Sequence, residues 1–307
     1  METRKKIFIY AKALRVNQWI KNFIVFTAII FSGKLFDGPL FLRTFYAFFI
    51  FCLLSSTSYL LNDIIDYSYD RKHPIKKNRP IAAGLISLQQ ASFLVFILTL
   101  TTLIISLLFS LSLFFLALGF ILLHFFYSLY LKRIPTIDIF SISFSFMLRA
   151  FAGEVVTGYH IPIWLLLTIF FISLFMASVK RQAELTIHGS ETRESLGKYK
   201  EHHLDFLTYT FATATIIAYA TYTYVEKIPQ VSTFFSPFVN QLFPAFEARK
   251  WMMLSIPFVV YGITRYAQLL YEQKEGERPE KIITQDVPLV VTIGIWVTII
   301  IALIYIF

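Results

Sequence analysis

The chain has 307 residues, of which 57% are hydrophobic, 18% aromatic and 15% charged, and its net charge is +9. Soluble domains carry about a quarter charged residues, so this composition excludes an ordinary soluble domain. The single cysteine, Cys52, lies inside an apolar run, which excludes intrachain disulfides and cysteine-based metal sites.

At the start of the chain, Arg4, Lys5 and Lys6 lead into a mixed segment without a small-residue cleavage site, so the N-terminus is expected to be retained. Apolar stretches able to cross about 30 Å of hydrocarbon, which takes roughly 20 helical residues, are then predicted at 17–35, 40–62, 87–109, 111–130, 137–158, 161–180, 205–225, 251–271 and 287–307. These runs do not alternate apolar and polar residues as barrel strands do. The expectation is an all-α membrane protein, a nine-transmembrane-helix bundle forming one domain over 1–307. The first span carries Asn17, Gln18, Lys21 and Asn22, a mixture that suits a helix end facing a wet pocket. The segment 226–250, with Pro229, Pro237 and Pro244, reads as an interfacial cap or re-entrant stretch.

Six Lys/Arg precede Asn22, five lie in 71–79, two at 132 and 133, five in 180–200 and four in 265–281, whereas the other face of the bundle holds only Lys34, Arg43, Lys227, Arg249 and Lys250. Basic residues collect on the cytoplasmic side of a membrane protein, so the N-terminus is expected in the cytoplasm and the C-terminus outside. That distribution makes the positive balance a matter of topology, with lipid as partner and no nucleic acid.

The acidic residues cluster where the second span ends. Tyr59, Asn62, Asp66 and Asp70 are spaced by three, four and four and share one helical stripe, with Asp63 on its edge. Carboxylates crowded at the mouth of a span repel one another and are costly to desolvate, so a bound cation is the natural compensation. Asn and Asp oxygens suit Mg²⁺, which bridges a few carboxylates to substrate phosphates. Arg71, Lys72, Lys76, Lys77 and Arg79 follow directly, and such a run beside acids makes a clamp for a polyphosphate. His73 among them reads as an ordinary loop residue.

Further along, Lys132 and Arg133 close the fourth span and Asp138 opens the fifth. Arg149 lies eleven residues deeper, roughly 16 Å at 1.5 Å per residue. It needs a partner, either Glu154 in an ion pair or an anion in a pocket. Lys180, Arg181 and Glu184 end the sixth span, with Arg181 and Glu184 on one face. His202 and His203 diverge on a helix and make a poor chelate. Arg265 and Asp286 are weaker candidates.

Asn62, Asp63, Asp66 and Asp70 form the Asn-Asp-x-x-Asp-x-x-x-Asp motif that ends the second of nine helices in the UbiA superfamily of intramembrane transferases, which this chain resembles in motif, helix number and orientation. Prenyltransferases of that superfamily carry a second aspartate-rich motif after the sixth helix; here the matching place holds Lys180, Arg181 and Glu184. That departure, the run Arg15 to Asn22, Tyr127 with Ser128, Lys132 with Arg133, Asp138 and the run Leu148 to Ala150 are similar to the decaprenyl-phosphate phosphoribosyltransferase branch, with Val16 standing where proline is expected.

The resemblance implies a UbiA-type bundle in the bacterial plasma membrane, with a central polar pocket open to the cytoplasm. It implies transfer of 5-phosphoribosyl from phosphoribosyl diphosphate to a polyprenyl phosphate, with Mg²⁺ as cofactor, for arabinan precursor synthesis. The roles expected on that basis are Asn62, Asp66 and Asp70 at the metal, with Asp63 as a helper, and Asp66, Asp63 and Asp138 in catalysis. Lys21, Tyr59, Lys76, Arg79, Lys132, Arg149, Lys180, Arg181 and Glu184 are expected at the substrates. A prenyltransferase using a prenyl diphosphate and a membrane transporter are the rival readings, and homo-oligomerisation is left open.

Overall fold

The computed structural model describes residues 2–73, 75–188, 199, 201–227, 229, 231, 241, 248–272 and 285–306. Among these the regular structure is entirely helical. Most of the predicted cap at 226–250 and of the connection 272–286 lies outside the described residues, as do 189–198 and 200 of the connection 180–204.

Helix α1 covers Glu2–Ala13. Arg15 then turns the chain in the left-handed region, φ 51° and ψ 47°, and Val16–Phe26 winds as a 3-10 helix before the five-residue α2, Thr27–Phe31. The expected α-helix over 17–35 is therefore mostly of the tighter kind, in which residues three apart eclipse. That winding puts Gln18 beside Lys21, whose Nζ donates to Gln18 Oε1 at 2.8 Å, and turns Asn22 and Val25 inward.

Helix α3, Gly38–Ile65, begins with Asp37 accepting from the Leu40 amide and Pro39 in the first turn, an arrangement that satisfies orphan donors. It ends at Asp66, and a separate turn, α4, covers Tyr67–Asp70. Helix α5, Leu88–Phe109, starts on a capping box between Ser87 and Gln90, and α6, Leu111–Leu129, on the Ser110 hydroxyl. Helix α7, Ile137–Thr157, stops at Gly158 with φ +75°, where a side chain would be strained. Then come α8 (Ile163–His188), α9 (Glu201–Val225), α10 (Ala248–Met252), α11 (Ile256–Glu272) and α12 (Val287–Tyr305).

Among the described residues, six helices are long and apolar enough to cross a membrane: α3, α5, α6, α7, α8 over Ile163–Thr186, and α12. The other three predicted spans fall on Val16–Phe31, α9 and α11. These are, in turn, partly 3-10, rich in Thr and Tyr, and only 17 residues long. Half or more of the central stretches of α3 and α7 is buried, against 11% for α5 and 22% for α6 and α12. The polar site hangs on the first pair, and the others present Leu, Ile and Phe outward.

Helix α7 is the axis. Val25, Leu54 and Phe120 pack with its Ala152 and Val156, Ala28 and Tyr219 with its Ala150, and Leu174 and Phe211 with its Ile139. Lipid tails are as apolar as Leu, so association here relies on close packing and on hydrogen bonds between helices. Small residues permit it: Ser143 Oγ meets Ser173 Oγ of α8 at 2.6 Å. At Gly153 the Val25 carbonyl oxygen lies 2.1 Å from where a Cβ would stand.

Candidate active site

The ends of α3, α6 and α8 and the start of α7 meet in one polar region, which lies on the face that the basic loops mark. Its first group centres on the acidic motif. Because α3 stops at Asp66, φ −87° and ψ 5°, the continuous stripe drawn from the sequence is broken there and its one Asn and three Asp residues sort into two pairs. Asp63 and Asp70 share Arg79, whose Nη1 lies 3.0 Å from Asp63 Oδ1 and 2.6 Å from Asp70 Oδ2. Asp63 is therefore a central member, not one at the edge. Arg15 Nη2 completes this pair at 2.6 Å from Asp63 Oδ1, and its guanidinium covers the Tyr59 ring at 4.8 Å. Burial holds the Asp70 carboxyl above the usual carboxylate range in spite of Arg79, and Lys76 lies within electrostatic reach of it.

Asn62 and Asp66 form the other pair. Lys132 Nζ sits between them, 2.5 Å from Asp66 Oδ1 and 3.3 Å from Asn62 Oδ1, while Asn62 Nδ2 donates to Asp66 Oδ2 at 3.0 Å. Two oxygens thus converge on one cation. That donor set fits Mg²⁺, which takes oxygen ligands and leaves positions for water and phosphate. Asp70 faces Arg79 in this arrangement, and among the described residues no three His, Cys, Asp or Glu side chains gather as a metal site. Tyr59 donates to Gln18 Oε1 at 2.9 Å, the same oxygen that Lys21 holds, so both substrate candidates are fixed through a residue for which the sequence suggested no partner.

A second group joins α6, α7 and α8. Arg181 is 1% exposed, and its Nε meets Asp138 Oδ2 at 2.7 Å, Nη1 meets Glu184 Oε2 at 2.5 Å and Nη2 donates to Tyr127 Oη at 3.3 Å. Lys180 Nζ lies 3.8 Å from Glu184 Oε1. Asp138 is fully buried, and its Oδ1 accepts from the Ile139 amide at 2.9 Å and from Tyr199 Oη at 2.7 Å. Burial and the Asp138 carboxylate push the Tyr199 phenol up, so it stays a donor. The same hydroxyl accepts from the amide of Thr136, whose φ of 69° is rare for a β-branched residue. Tyr199 escaped the sequence reading, because nothing local links a tyrosine to an aspartate 61 positions earlier.

Arg149 forms a third group, deeper in the bundle. The ion pair with Glu154 is overturned: Glu154 Oε1 accepts from the Ile161 amide at 2.6 Å. Residues five apart on a helix point in different directions, which is the physical reason. Arg149 instead donates from Nε to Asn22 Oδ1 at 2.6 Å, from Nη1 to the Ser145 carbonyl at 2.8 Å and hydroxyl at 3.0 Å, and from Nη2 to Ser55 Oγ at 3.3 Å. Phe120 and Phe146 flank its guanidinium at 4.7 and 5.1 Å. Ser55 and Ser145 were legible only as small polar residues inside apolar spans. Arg265 and Asp286 pair with each other at 2.8 Å, joining α11 to the start of α12.

A family model described as the UbiA prenyltransferase family matches residues 22–184, a stretch that holds every residue above except Arg15, Gln18, Lys21, Tyr199, Arg265 and Asp286. The chain is 35% identical to a decaprenyl-phosphate phosphoribosyltransferase of Corynebacterium glutamicum over 96% of this chain and 86% of that one. It is 34% identical to a protein of the same name from Mycolicibacterium smegmatis, over 96% and 92%. Among solved structures, a UbiA homolog from Archaeoglobus fulgidus bound to GPP and Mg²⁺ superposes with a TM-score of 0.69 at 17% identity, covering 96% of this chain and 99% of that one.

Proposed function

Because this chain belongs to the UbiA prenyltransferase family, we propose that it transfers 5-phosphoribosyl from phosphoribosyl diphosphate to a polyprenyl phosphate and releases pyrophosphate. The bundle has nine spans in the bacterial plasma membrane, its N-terminus and its site face the cytoplasm, and the product is an arabinan precursor. The observation that carries this reading is the basic end of α8. Where a prenyl diphosphate enzyme would be expected to hold a second set of aspartates, Arg181 stands buried between Asp138 and Glu184 with Lys180 beside it. Cations there suit a donor with a further phosphate and an acceptor that is itself an anion. The likeness in identity to two named phosphoribosyltransferases supports the same choice.

Asn62 and Asp66 would hold Mg²⁺, which when bound would supply charge neutralisation for the diphosphate leaving group. Asp63 and Asp70 act through Arg15 and Arg79, keeping both guanidiniums aimed at the phosphates. Lys132 moves its ammonium from the Asn62 and Asp66 oxygens to a phosphate oxygen. Lys21 and Lys76 add positive charge on the same side, and Tyr59 contacts the donor. The lipid phosphate is already a nucleophile, so no strong base is needed: its oxygen bonds to the ribosyl anomeric carbon as that carbon's bond to the diphosphate breaks. Catalysis is then positioning plus charge stabilisation. Asp138, buried under Arg181 and Tyr199, orients the cations instead of touching the sugar.

The test follows radiolabel from phosphoribosyl diphosphate into the organic phase, with purified protein, a polyprenyl phosphate and Mg²⁺. Labelled lipid that vanishes with EDTA and in Asp66→Ala is expected. No label, together with turnover of a prenyl diphosphate, would replace this reading with prenyl transfer, and inactivity with both donors would leave transport.

A further inference from the structure

Among the described residues two arginines are buried, and they differ in how their charge is met. Arg181 has Asp138 and Glu184. Arg149 has only neutral oxygens among the described residues, and its four hydrogen bonds leave one of its five N–H donors over, on Nη2. A cation within the apolar thickness is costly without a counter-charge, so this one points to an anion that arrives with a substrate.

Helix α6 runs between the two arginines. Its Phe120, His124 and Tyr127 are spaced by four and three and so share one face. The Arg149 guanidinium lies 4.7 Å from the Phe120 ring, and the His124 ring lies 4.4 Å from that same phenyl. Tyr127, 6.4 Å from His124, accepts from Arg181. From Phe120 to Tyr127 the helix rises about 10 Å, with Arg149 at one end, Arg181 at the other and His124 between. His124 is within electrostatic reach of Arg149, and its Nε2 is buried with no hydrogen-bond partner among the described residues. A buried polar atom in that condition is uncommon enough to need an explanation. A ligand oxygen supplies one, with the Arg149 guanidinium against the same phenyl as the neighbouring cation.

Resting on the phosphoribosyl transfer reading, we propose that His124 and Arg149 form a deep subsite for one phosphate monoester. The imidazole Nε2 donates to a phosphate oxygen and the guanidinium supplies the charge. The diphosphate belongs with Asn62 and Asp66, at the ends of the helices. The monoester that lies deeper is either the 5-phosphate of the donor or the headgroup of the lipid, since both substrates carry that group.

The two sources are separated by measuring thermal stabilisation of the detergent-solubilised protein by ribose 5-phosphate and by farnesyl monophosphate, alongside KM for each substrate. His124→Phe keeps an aromatic ring against Phe120 and removes Nε2. It is expected to weaken stabilisation by one of the two monoesters, shifting its concentration dependence about tenfold, and to raise KM for the matching substrate by the same factor, the size of one hydrogen bond to a charged group. The other KM and the ligand-free melting temperature stay as in wild type. His124→Gln, which restores a donor at that reach, recovers most of the loss. His124→Asn, too short to place its amide at Nε2, loses binding without adding apolar bulk. Loss confined to ribose 5-phosphate assigns the subsite to the donor, and loss confined to farnesyl monophosphate assigns it to the lipid. Unchanged binding of both and unchanged KM values in the Phe and Asn variants overturn the subsite while labelled lipid still forms. Binding that depends on His124 in a protein that makes no labelled lipid keeps the subsite and removes the transfer reading.

Discussion

At the scale of single residues, the site is a set of charges that hold one another in place before any substrate enters. Lys132 shows what this does. Its ammonium sits on Asn62 and Asp66 at 3.3 and 2.5 Å, so the oxygens suited to Mg²⁺ stay ordered and the lysine stays beside the place where phosphate is to bind. Lys132→Met removes the charge and keeps most of the bulk. We expect kcat/KM to fall about 10²- to 10³-fold, as for the loss of one electrostatic stabiliser, with a change in melting temperature too small to explain it. An activity within twofold of wild type in the lipid-label assay would remove Lys132 from the site. The types of the residues were legible because acids and bases beside apolar runs stand out. Their pairing was not: which carboxylate meets which cation depends on the break at Asp66, and no spacing rule for a continuous helix anticipates it. Tyr199 and His124 were illegible for a related reason, since a lone aromatic residue acquires meaning only from distant neighbours.

Among the elements, long apolar runs fixed the helices well, and Ser87, Ser110 and Asp286 begin α5, α6 and α12 as capping residues should. The 3-10 winding of Val16–Phe26 was not legible, because it follows from what that segment packs against. Its Val25 carbonyl rests against Gly153 of α7, and a Cβ there would stand 2.1 Å from the oxygen, against backbone that cannot rotate away. Gly153→Ala should therefore destabilise the protein by about 1–3 kcal/mol or more, as overpacking does. It should also disturb Arg149, which holds Asn22 of the same segment. Thermal unfolding in detergent would check this, and an unchanged melting temperature would mean that the two elements do not pack so closely. The start of α12 offers a separate test. Asp286 accepts from the Leu289 amide and pairs with Arg265, and the Arg265 hydrogen bond holds its carboxyl below the usual carboxylate range. A depressed value means stability that is present above the unfolded pKa, about 3.9, and lost as pH falls through the folded one. Asp286→Asn keeps the cap and loses the charge, so its deficit in melting temperature should persist down to about pH 4 and shrink as the pH is lowered below that. Asp286→Ala should lose roughly a further 1 kcal/mol for the cap at every pH.

The whole molecule places an apolar perimeter around a polar column that runs from Asp63 and Asp66 at the helix ends to Arg149 within. The orientation of that column decides which compartment supplies the soluble substrate. Under the positive-inside rule the loop with Arg71, Lys72, Lys76, Lys77 and Arg79 is expected to direct the acidic motif to the cytoplasm, where an anionic nucleotide precursor would be met. Cys52 allows a direct test because the chain has no other cysteine. Its thiol accepts from Asn22 Nδ2 at 3.3 Å, and Asn22 in turn holds Arg149, so the background should be Cys52→Ser, which keeps an acceptor, and not Cys52→Ala. On that background, Lys77→Cys lies in the basic loop and Asp37→Cys at the opposite end of α3. With intact cells and a membrane-impermeant maleimide, Asp37→Cys should label and Lys77→Cys should label only after the membrane is opened. The reverse pattern would put the carboxylates of Asp63 and Asp66 outside, away from any cytosolic diphosphate. The basic loops would then have to be explained by lipid headgroups alone, and the proposed donor would have to give way to one available outside the cell.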